Sequence, residues 1–230
     1  MIDWHSHILP AMDDGSRDVA QSVALLKMQV EQGVDTVIAT PHFHANDESV
    51  DHFLDRRAKA CEALKGEISD LPLQILQGAE VRYYQGIARM KDLKKLCIED
   101  TKLLLLEMPF GKWTEYMVRE LEELSRIGGL QIVLAHVERY PSMQGYDTRE
   151  RILQSGILMQ VNASYFLSFF TKRKALSLLR DGYIHLLGSD CHNTESRPPL
   201  LGDAFSAIEK KMGREFLENM DQFGHFMLAQ

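Results

Sequence analysis

Short apolar runs recur along the chain at Ile2–His5, Thr36–Thr40, Gln74–Val81, Lys102–Met108, Gln131–His136, Ile157–Asn162 and Ile184–Ser189. Each has the length and composition of a buried strand. Between them the pattern changes to helical spacing. Val19, Val23, Leu26 and Val30 recur on one face of a predicted helix, Val19–Gln32, that stops at Gly33. Further helices are predicted over Glu48–Leu64, Trp113–Ile127, Thr148–Gln154 and Thr171–Leu179, with a shorter one over Met90–Cys97. Strands alternating with helices, at a repeat of about 30 residues, predict parallel βαβ units. No Pro/Gly/Ser-rich linker interrupts the series, so one domain over residues 1–230 is expected. The alternation alone fits a closed barrel or an open doubly wound sheet.

The polar residues choose between them, because they gather where the predicted strands end. The first strand leads into His5 and His7, which face the same way because strand side chains alternate with period two. Its loop carries Asp13-Asp14-Gly15. Later strands lead into Pro41-His42, Ala79-Glu80, Leu106-Glu107, Ala135-His136 and Ser189-Asp190-Cys191-His192, and the sixth ends at Asn162, read as a loop or supporting residue. Functional residues of a parallel barrel sit at the C-terminal strand ends, so the barrel is favoured. Glu107 closes the apolar run Leu103–Leu106, and a carboxylate leaving a buried strand has to be paired, protonated or metal-bound.

Nitrogen and oxygen donors without a thiolate favour manganese, iron or zinc over a structural zinc site. The candidate ligands are His5, His7, an acid of the Asp13-Asp14 pair, His42, Glu80, Glu107, His136, Asp190 and His192. They are too many for one ion, so two or three are expected, about 3.5–4 Å apart with carboxylate bridges. Arg139 and Arg197 follow His136 and His192 in loops, and guanidinium forks match phosphate oxygens.

Composition narrows the setting. A formal net charge of −7 excludes a general nucleic-acid-binding surface. Cys61, Cys97 and Cys191 lack paired spacing, which predicts a reducing cytoplasm. No basic n-region precedes an apolar stretch and no apolar run is long enough to span a bilayer, so neither a signal peptide nor membrane insertion is expected. His44 is a candidate for the mouth of the site, while His52, His185 and His225 read as surface, strand or tail residues. Met108, Met117 and Met159 read as core filler. Tyr83, Tyr84, Tyr140, Tyr165, Phe169 and Phe170 are expected to pack inside, with an aromatic substrate wall as the alternative. The tail Met220–Gln230 is expected to pack on the body or on a neighbour.

The segments Met1-Ile2-Asp3-Trp4-His5-Ser6-His7-Ile8-Leu9-Pro10 with Asp13-Asp14-Gly15, Ala39-Thr40-Pro41-His42 and Gly78-Ala79-Glu80-Val81 resemble the PHP (polymerase and histidinol phosphatase) family. So do Ala135-His136-Val137-Glu138-Arg139-Tyr140 and Gly188-Ser189-Asp190-Cys191-His192. Within it they are similar to the manganese-dependent protein-tyrosine phosphatases of bacterial capsule and exopolysaccharide clusters, the CpsB/CapC/YwqE type. The resemblance implies an α/β fold, a distorted (β/α)7 TIM-like barrel, with a trinuclear site. By that analogy His5, His7, Glu80 and Asp190 hold one ion. Glu80, Glu107 and His136 hold a second, with Glu80 bridging, and Asp14, His42 and His192 hold a third. It also implies Arg139 and Arg197 as phosphate ligands, and the Tyr-rich tail of a bacterial tyrosine autokinase as the phosphotyrosine partner. Trp4 and Ala11 depart from the pattern, where Ile or Val and Gly are common.

The expected chemistry is hydrolysis of phosphotyrosine by a metal-bridging hydroxide, with Asp14 or His192 protonating the leaving phenolate. Alternatives are a PHP-type phosphatase acting on histidinol phosphate or another small phosphomonoester, a metal-dependent amidohydrolase, and a catalytically silent binding protein. Cys191 and Arg197 also form a Cys-x5-Arg spacing, but no glycine lies between them and Pro198-Pro199 follow. That denies a phosphate loop its backbone donors.

Overall fold

The computed structural model describes residues 1–230, the side chain of Gln144 excepted. In chain order the elements are β1 (Ile2–Ser6), α1 (Val19–Glu31), β2 (Thr36–Ala39), β3 (His42–Phe43), α2 (Val50–Lys65), β4 (Gln74–Gln77) and β5 (Glu80–Arg82). There follow β6 (Leu103–Glu107), α3 (Glu115–Leu124), β7 (Gln131–Leu134), α4 (Tyr146–Gln154), β8 (Leu158–Asn162), α5 (Lys172–Arg180), β9 (Leu186–Gly188), α6 (Leu201–Met212) and α7 (Arg214–Leu228). The helices start where a polar side chain can take an unpaired amide. Asp18, Ser49 and Thr114 accept from the backbone N–H of Gln21, His52 and Met117.

All strand pairs are parallel. One sheet has the order β1-β2-β4 and the other β3-β5-β6-β7-β8-β9. The sheet curls, because a bridge between Ser6 and Cys191 sets the end of β1 beside the residues that follow β9. The predicted second and third strands are each broken in two. Pro41 has no N–H to donate, so β2 ends before it and His42 starts a new strand. The run Gln74–Val81 breaks at Gly78-Ala79, with Gly78 and Glu80 N–H donating to Ala39 and Pro41 carbonyls at 2.8 and 3.0 Å. After these breaks β3 pairs with β5, and β5 with β6, in the second sheet.

Other expectations shift as well. The helix predicted over Met90–Cys97 is two short 3-10 turns, Ile87–Arg89 and Leu93–Leu96. Phe169 and Phe170 do not pack inside and are each 91% exposed. The tail packs on the body as one of the two expectations had it, α7 meeting the core through Phe223, Met227 and Leu228. No helix among the described residues is long and apolar enough to cross a membrane.

Two apolar layers result. Leu104 and Leu106 of β6 and Ile132 and Leu134 of β7 face the helices. Leu103, Leu105, Val133 and Ala135 face inward, with Ile2, Trp4, Leu158 and Leu186. The inward parity continues up the strands into polar residues: Glu107 follows Leu103 and Leu105, and Gln160 and Asn162 follow Leu158. An apolar layer below therefore carries a polar cluster above.

Candidate metal centre

Two of the candidate ligands, His136 and His5, reach the interior by breaking the alternation. His136 would face the helices with Ile132 and Leu134, but its φ of 29° turns the ring inward. Asp190 also has a positive φ, 52°. Such conformations cost about 1–3 kcal/mol each and persist only where the surroundings enforce them. The register of β1 against β2 slips between Asp3 and Ser6, which frees His5 from the alternation set by Ile2 and Trp4. Two glycines make room. A Cβ at Gly15 would lie 2.4 Å from the Cβ of His7, and one at Gly188 would lie 2.5 Å from the Cβ of His5.

Glu80 lies at the middle. Its Oε1 is 2.9 Å from His136 Nε2, and its Oε2 is 2.9 Å from His42 Nδ1, 3.3 Å from His5 Nε2 and 3.4 Å from His7 Nε2. Burial opposes its charge, but the imidazoles of His5, His136 and His42 around it hold it well below the usual carboxylate range. Asp190 Oδ1 lies 3.5 Å from His7 Nε2, and Glu107 Oε1 lies 3.5 Å from His136 Nε2. Asp14, the most exposed of the set, stands 3.4 Å from both His42 Nε2 and His192 Nε2. All nine predicted ligands are thus brought together. Their donor atoms form overlapping groups: His7, Asp14, His42 and His192; His5, His7 and Asp190; His5, Glu80 and His136; His42, Glu80 and Glu107.

Several features fit this cluster to cations. His5 Nε2 and His7 Nε2 approach to 3.0 Å, and two lone pairs this close repel unless a proton or a cation lies between them. His42 Nδ1 and His192 Nε2 are buried without a hydrogen-bond partner, although acid oxygens lie within 2.9 and 3.4 Å of them. The acids also demand positive charge. Burial disfavours the His7 imidazolium, yet hydrogen bonds with Asp13 and Glu80 push its pKa up to about 10. His136 is driven up to about 9 against its burial by Glu107 and Glu80. Divalent ions supply that charge without a cluster of buried protons, and the donor set of imidazole and carboxylate suits them.

The outer atoms of the ligands are tied down by neighbouring polar residues, among them Asn162, the expected supporting residue at the end of the sixth predicted strand. Asp13 accepts from His7 Nδ1 at 2.7 Å and from the His42 and Gly15 amides at 2.9 Å each. Gln160 Oε1 lies 3.2 Å from His5 Nδ1 and accepts from the His136 amide at 2.7 Å. Its amide donates to Asn162 Oδ1 at 3.1 Å, and Asn162 donates to Asp190 Oδ2 at 2.8 Å. Asp3, fully buried, accepts from the Ser189 amide and hydroxyl at 2.7 and 2.6 Å, and burial pushes its pKa up to about 6. Such partners set ring orientation and ligand basicity. Asp13 was readable in Asp13-Asp14-Gly15, and Gln160 and Asn162 in their shared parity with Leu158.

Arg139 and Arg197 come from different loops and converge on one acid. Arg139 Nη2 donates to Asp190 Oδ2 at 2.5 Å and Arg197 Nη2 to Asp190 Oδ1 at 2.8 Å. Both side chains are partly exposed, and Arg197 Nη1 also lies 3.9 Å from Asp14 Oδ2. Cys191 is no nucleophile. It is fully buried, receives Gln29 Nε2 at 3.5 Å, and burial raises its thiol to about 12. His44 pairs with Asp47 beside His42, in the cleft that opens at Asp14.

The model of a family described as capsular polysaccharide synthesis, CpsB/CapC, matches residues 1–222. The chain belongs to the CpsB/CapC family. It is 35% identical to the tyrosine-protein phosphatase YwqE of Bacillus subtilis, over 94% of this chain and 86% of the relative. It is 34% identical to the tyrosine-protein phosphatase CpsB of Streptococcus pneumoniae, over 93% of this chain and 91% of the relative. A solved structure from the study of YwqE and CpsB, described as unique metal-dependent tyrosine phosphatases, superposes with a TM-score of 0.86 at 30% identity, covering 100% of this chain and 94% of that one. A β-aspartyl dipeptidase from Fervidobacterium islandicum, 11% identical with a TM-score of 0.53 over 97% of this chain and 74% of its own, shares the fold alone. As a CpsB/CapC family member, the chain thus pairs its acid- and histidine-rich cluster with relatives that are named phosphatases.

Proposed function

We propose that the chain is a metal-dependent tyrosine-protein phosphatase, one domain over residues 1–230 built as a distorted (β/α)7 barrel. The observation that carries this reading is the convergence of Arg139 and Arg197 on Asp190 at the edge of the histidine and carboxylate cluster. Two partly exposed guanidinium forks side by side form a receptor for a phosphoryl group. His5, His7, Glu80 and Asp190 would hold one ion, Glu80, Glu107 and His136 a second, and Asp14, His42 and His192 a third. Bound there, manganese, with iron or zinc as alternatives, supplies charge neutralisation for a phosphate dianion and activation of water near neutral pH.

The protein's own groups do the rest. Arg139 and Arg197 orient the phosphoryl oxygens and stabilise the charge that grows on them. Gln160 and Asn162 keep His5 and Asp190 in place, and Asp13 does the same for His7 and His42. Asp14 and His192, 3.4 Å apart at the mouth, are the groups placed to pass a proton to the departing phenolate. A phenolate, with a pKa of about 10, leaves more readily than an alkoxide, which favours phosphotyrosine as substrate. The likeness to capsule-cluster phosphatases points to the Tyr-rich tail of a bacterial tyrosine autokinase as the physiological substrate. Three cysteines free of disulfides support a cytoplasmic setting.

The test is a substrate panel with added manganese: a phosphotyrosine peptide, a phosphoserine peptide, histidinol phosphate and a set of amides. Preferential release of phosphate from phosphotyrosine is expected. Preference for histidinol phosphate would move the chain to the other phosphatase branch, and amide cleavage without phosphate release would overturn the reading.

A further inference from the structure

The loop after Glu107 holds a large apolar ring at the edge of the cluster. Phe110 is 50% exposed, yet its ring is not loose. It stacks on the His136 imidazole with centroids 5.7 Å apart and planes 27° apart, and it lies 6.0 Å from the Tyr140 ring. The backbone is pinned on either side of it. The Met108 amide donates to the Tyr140 hydroxyl at 3.0 Å, and the Trp113 indole donates to the Pro109 carbonyl at 3.0 Å. The Trp113 amide donates to Ser142 Oγ at 2.7 Å. A phenylalanine held half in water forgoes part of the stabilisation that burial provides. This loop spends three hydrogen bonds on keeping one there.

We infer that Phe110 is the platform on which the aromatic ring of the substrate lies, and thus a determinant of specificity for aryl over alkyl phosphates. The inference rests on the phosphatase reading above. Its geometric basis is His136, which carries the Phe110 ring on one side and reaches Glu80 at 2.9 Å through Nε2. In an aryl phosphate one oxygen joins ring to phosphorus, so the ring site and the phosphoryl site must be neighbours. Phe110 and the cluster are neighbours through this one residue. Offset-stacked rings attract beyond the effect of area alone, and a phosphoserine side chain has no ring to offer. The rival role for Phe110 is a cover that keeps water from His136, and it predicts a different pattern of losses.

The experiment compares wild type with Phe110→Leu and Phe110→Tyr. Each variant is measured on a phosphotyrosine and a phosphoserine peptide and expressed relative to wild type on the same ester, which cancels leaving-group chemistry. Binding of phenylphosphonate and methylphosphonate is measured by calorimetry, and metal content by elemental analysis. For Phe110→Leu, kcat/KM on phosphotyrosine is expected to fall about threefold to tenfold through KM. Phenylphosphonate affinity falls in step, while phosphoserine turnover, methylphosphonate affinity and metal content stay at wild-type levels. Phe110→Tyr retains wild-type selectivity. Equal losses on both esters, or loss of metal in Phe110→Leu, would overturn the platform and leave the phosphatase reading standing. If wild type hydrolyses no phosphoester yet prefers phenylphosphonate in a Phe110-dependent way, the phosphatase reading fails and the platform stands. Absence of both turnover and that preference overturns both.

Discussion

The two ends of the parallel sheet are built on opposite principles. At the N-terminal end Ile2, Trp4, Leu103, Leu158 and Leu186 form a dry plug, closed from below by Phe223, Met227 and Leu228 of α7. Gly224 lets that helix approach so closely that a Cβ there would lie 3.1 Å from Ile2 and 3.4 Å from Trp4. At the C-terminal end the same strands carry buried acids and imidazoles, two positive-φ residues and buried nitrogens without partners. Shape complementarity and apolar burial stabilise the lower end. The upper end contains groups that destabilise a fold unless cations compensate them. The curled sheet thus separates the part that keeps the chain folded from the part that performs chemistry, and each part should fail in its own way.

The strongest separation is expected from Trp4→Ala. Removing this buried ring should cost about 3–5 kcal/mol of stability, seen in urea unfolding, while the folded fraction keeps its metal content and turnover. Loss of metal at unchanged stability would break the comparison. Arg139→Ala is the mirror case. Turnover of phosphotyrosine should fall about 100- to 1000-fold, as when a preorganised transition-state donor is removed, with metal content and unfolding midpoint unchanged. An unaltered rate removes the arginine from the mechanism. Gln160→Ala lies between, because the residue touches His5 and the His136 amide but not the mouth. A 10- to 100-fold loss of metal affinity is expected, measured by titration with manganese and rescued at high concentration.

The smallest effect belongs to the lower end. His185 accepts the Met159 amide at Nδ1, and burial depresses its pKa below 6.5. Above pH 6.5 neither folded nor unfolded chain protonates it. As pH falls through 6.5 the unfolded chain takes the proton first, so stability declines until the folded value is reached. His185→Asn should flatten the decline in unfolding free energy between pH 7 and pH 5. An unchanged slope would mean that other groups set it.

Much of this was legible in the amino-acid order because strand periodicity and strand-end chemistry are local signals. The nine ligands sit at or just beyond apolar runs whose lengths mark the strands, so their common location follows from parallel topology alone. The breaks at Pro41 and Gly78 were less visible, since each segment stays in the same ladder direction. The inward turn of His136 depends on a backbone angle that tertiary packing imposes, which no residue-type pattern records. Helix α6 carries Leu201, Ala204, Phe205 and Ile208 at helical spacing, a signal that was present but not assigned. Phe110 escaped notice because nothing in Met108-Pro109-Phe110-Gly111 distinguishes an aromatic on the rim from one in the core. Only its stacking on His136 does.

The central claim is that the upper end works through cations held by its acids and imidazoles. Elemental analysis of the purified protein beside phosphotyrosine turnover, before and after exhaustive chelation, tests it most directly. The account predicts two or three bound ions per chain, turnover at background once they are stripped, and recovery on adding manganese. Full turnover by protein shown to be free of metal would contradict it.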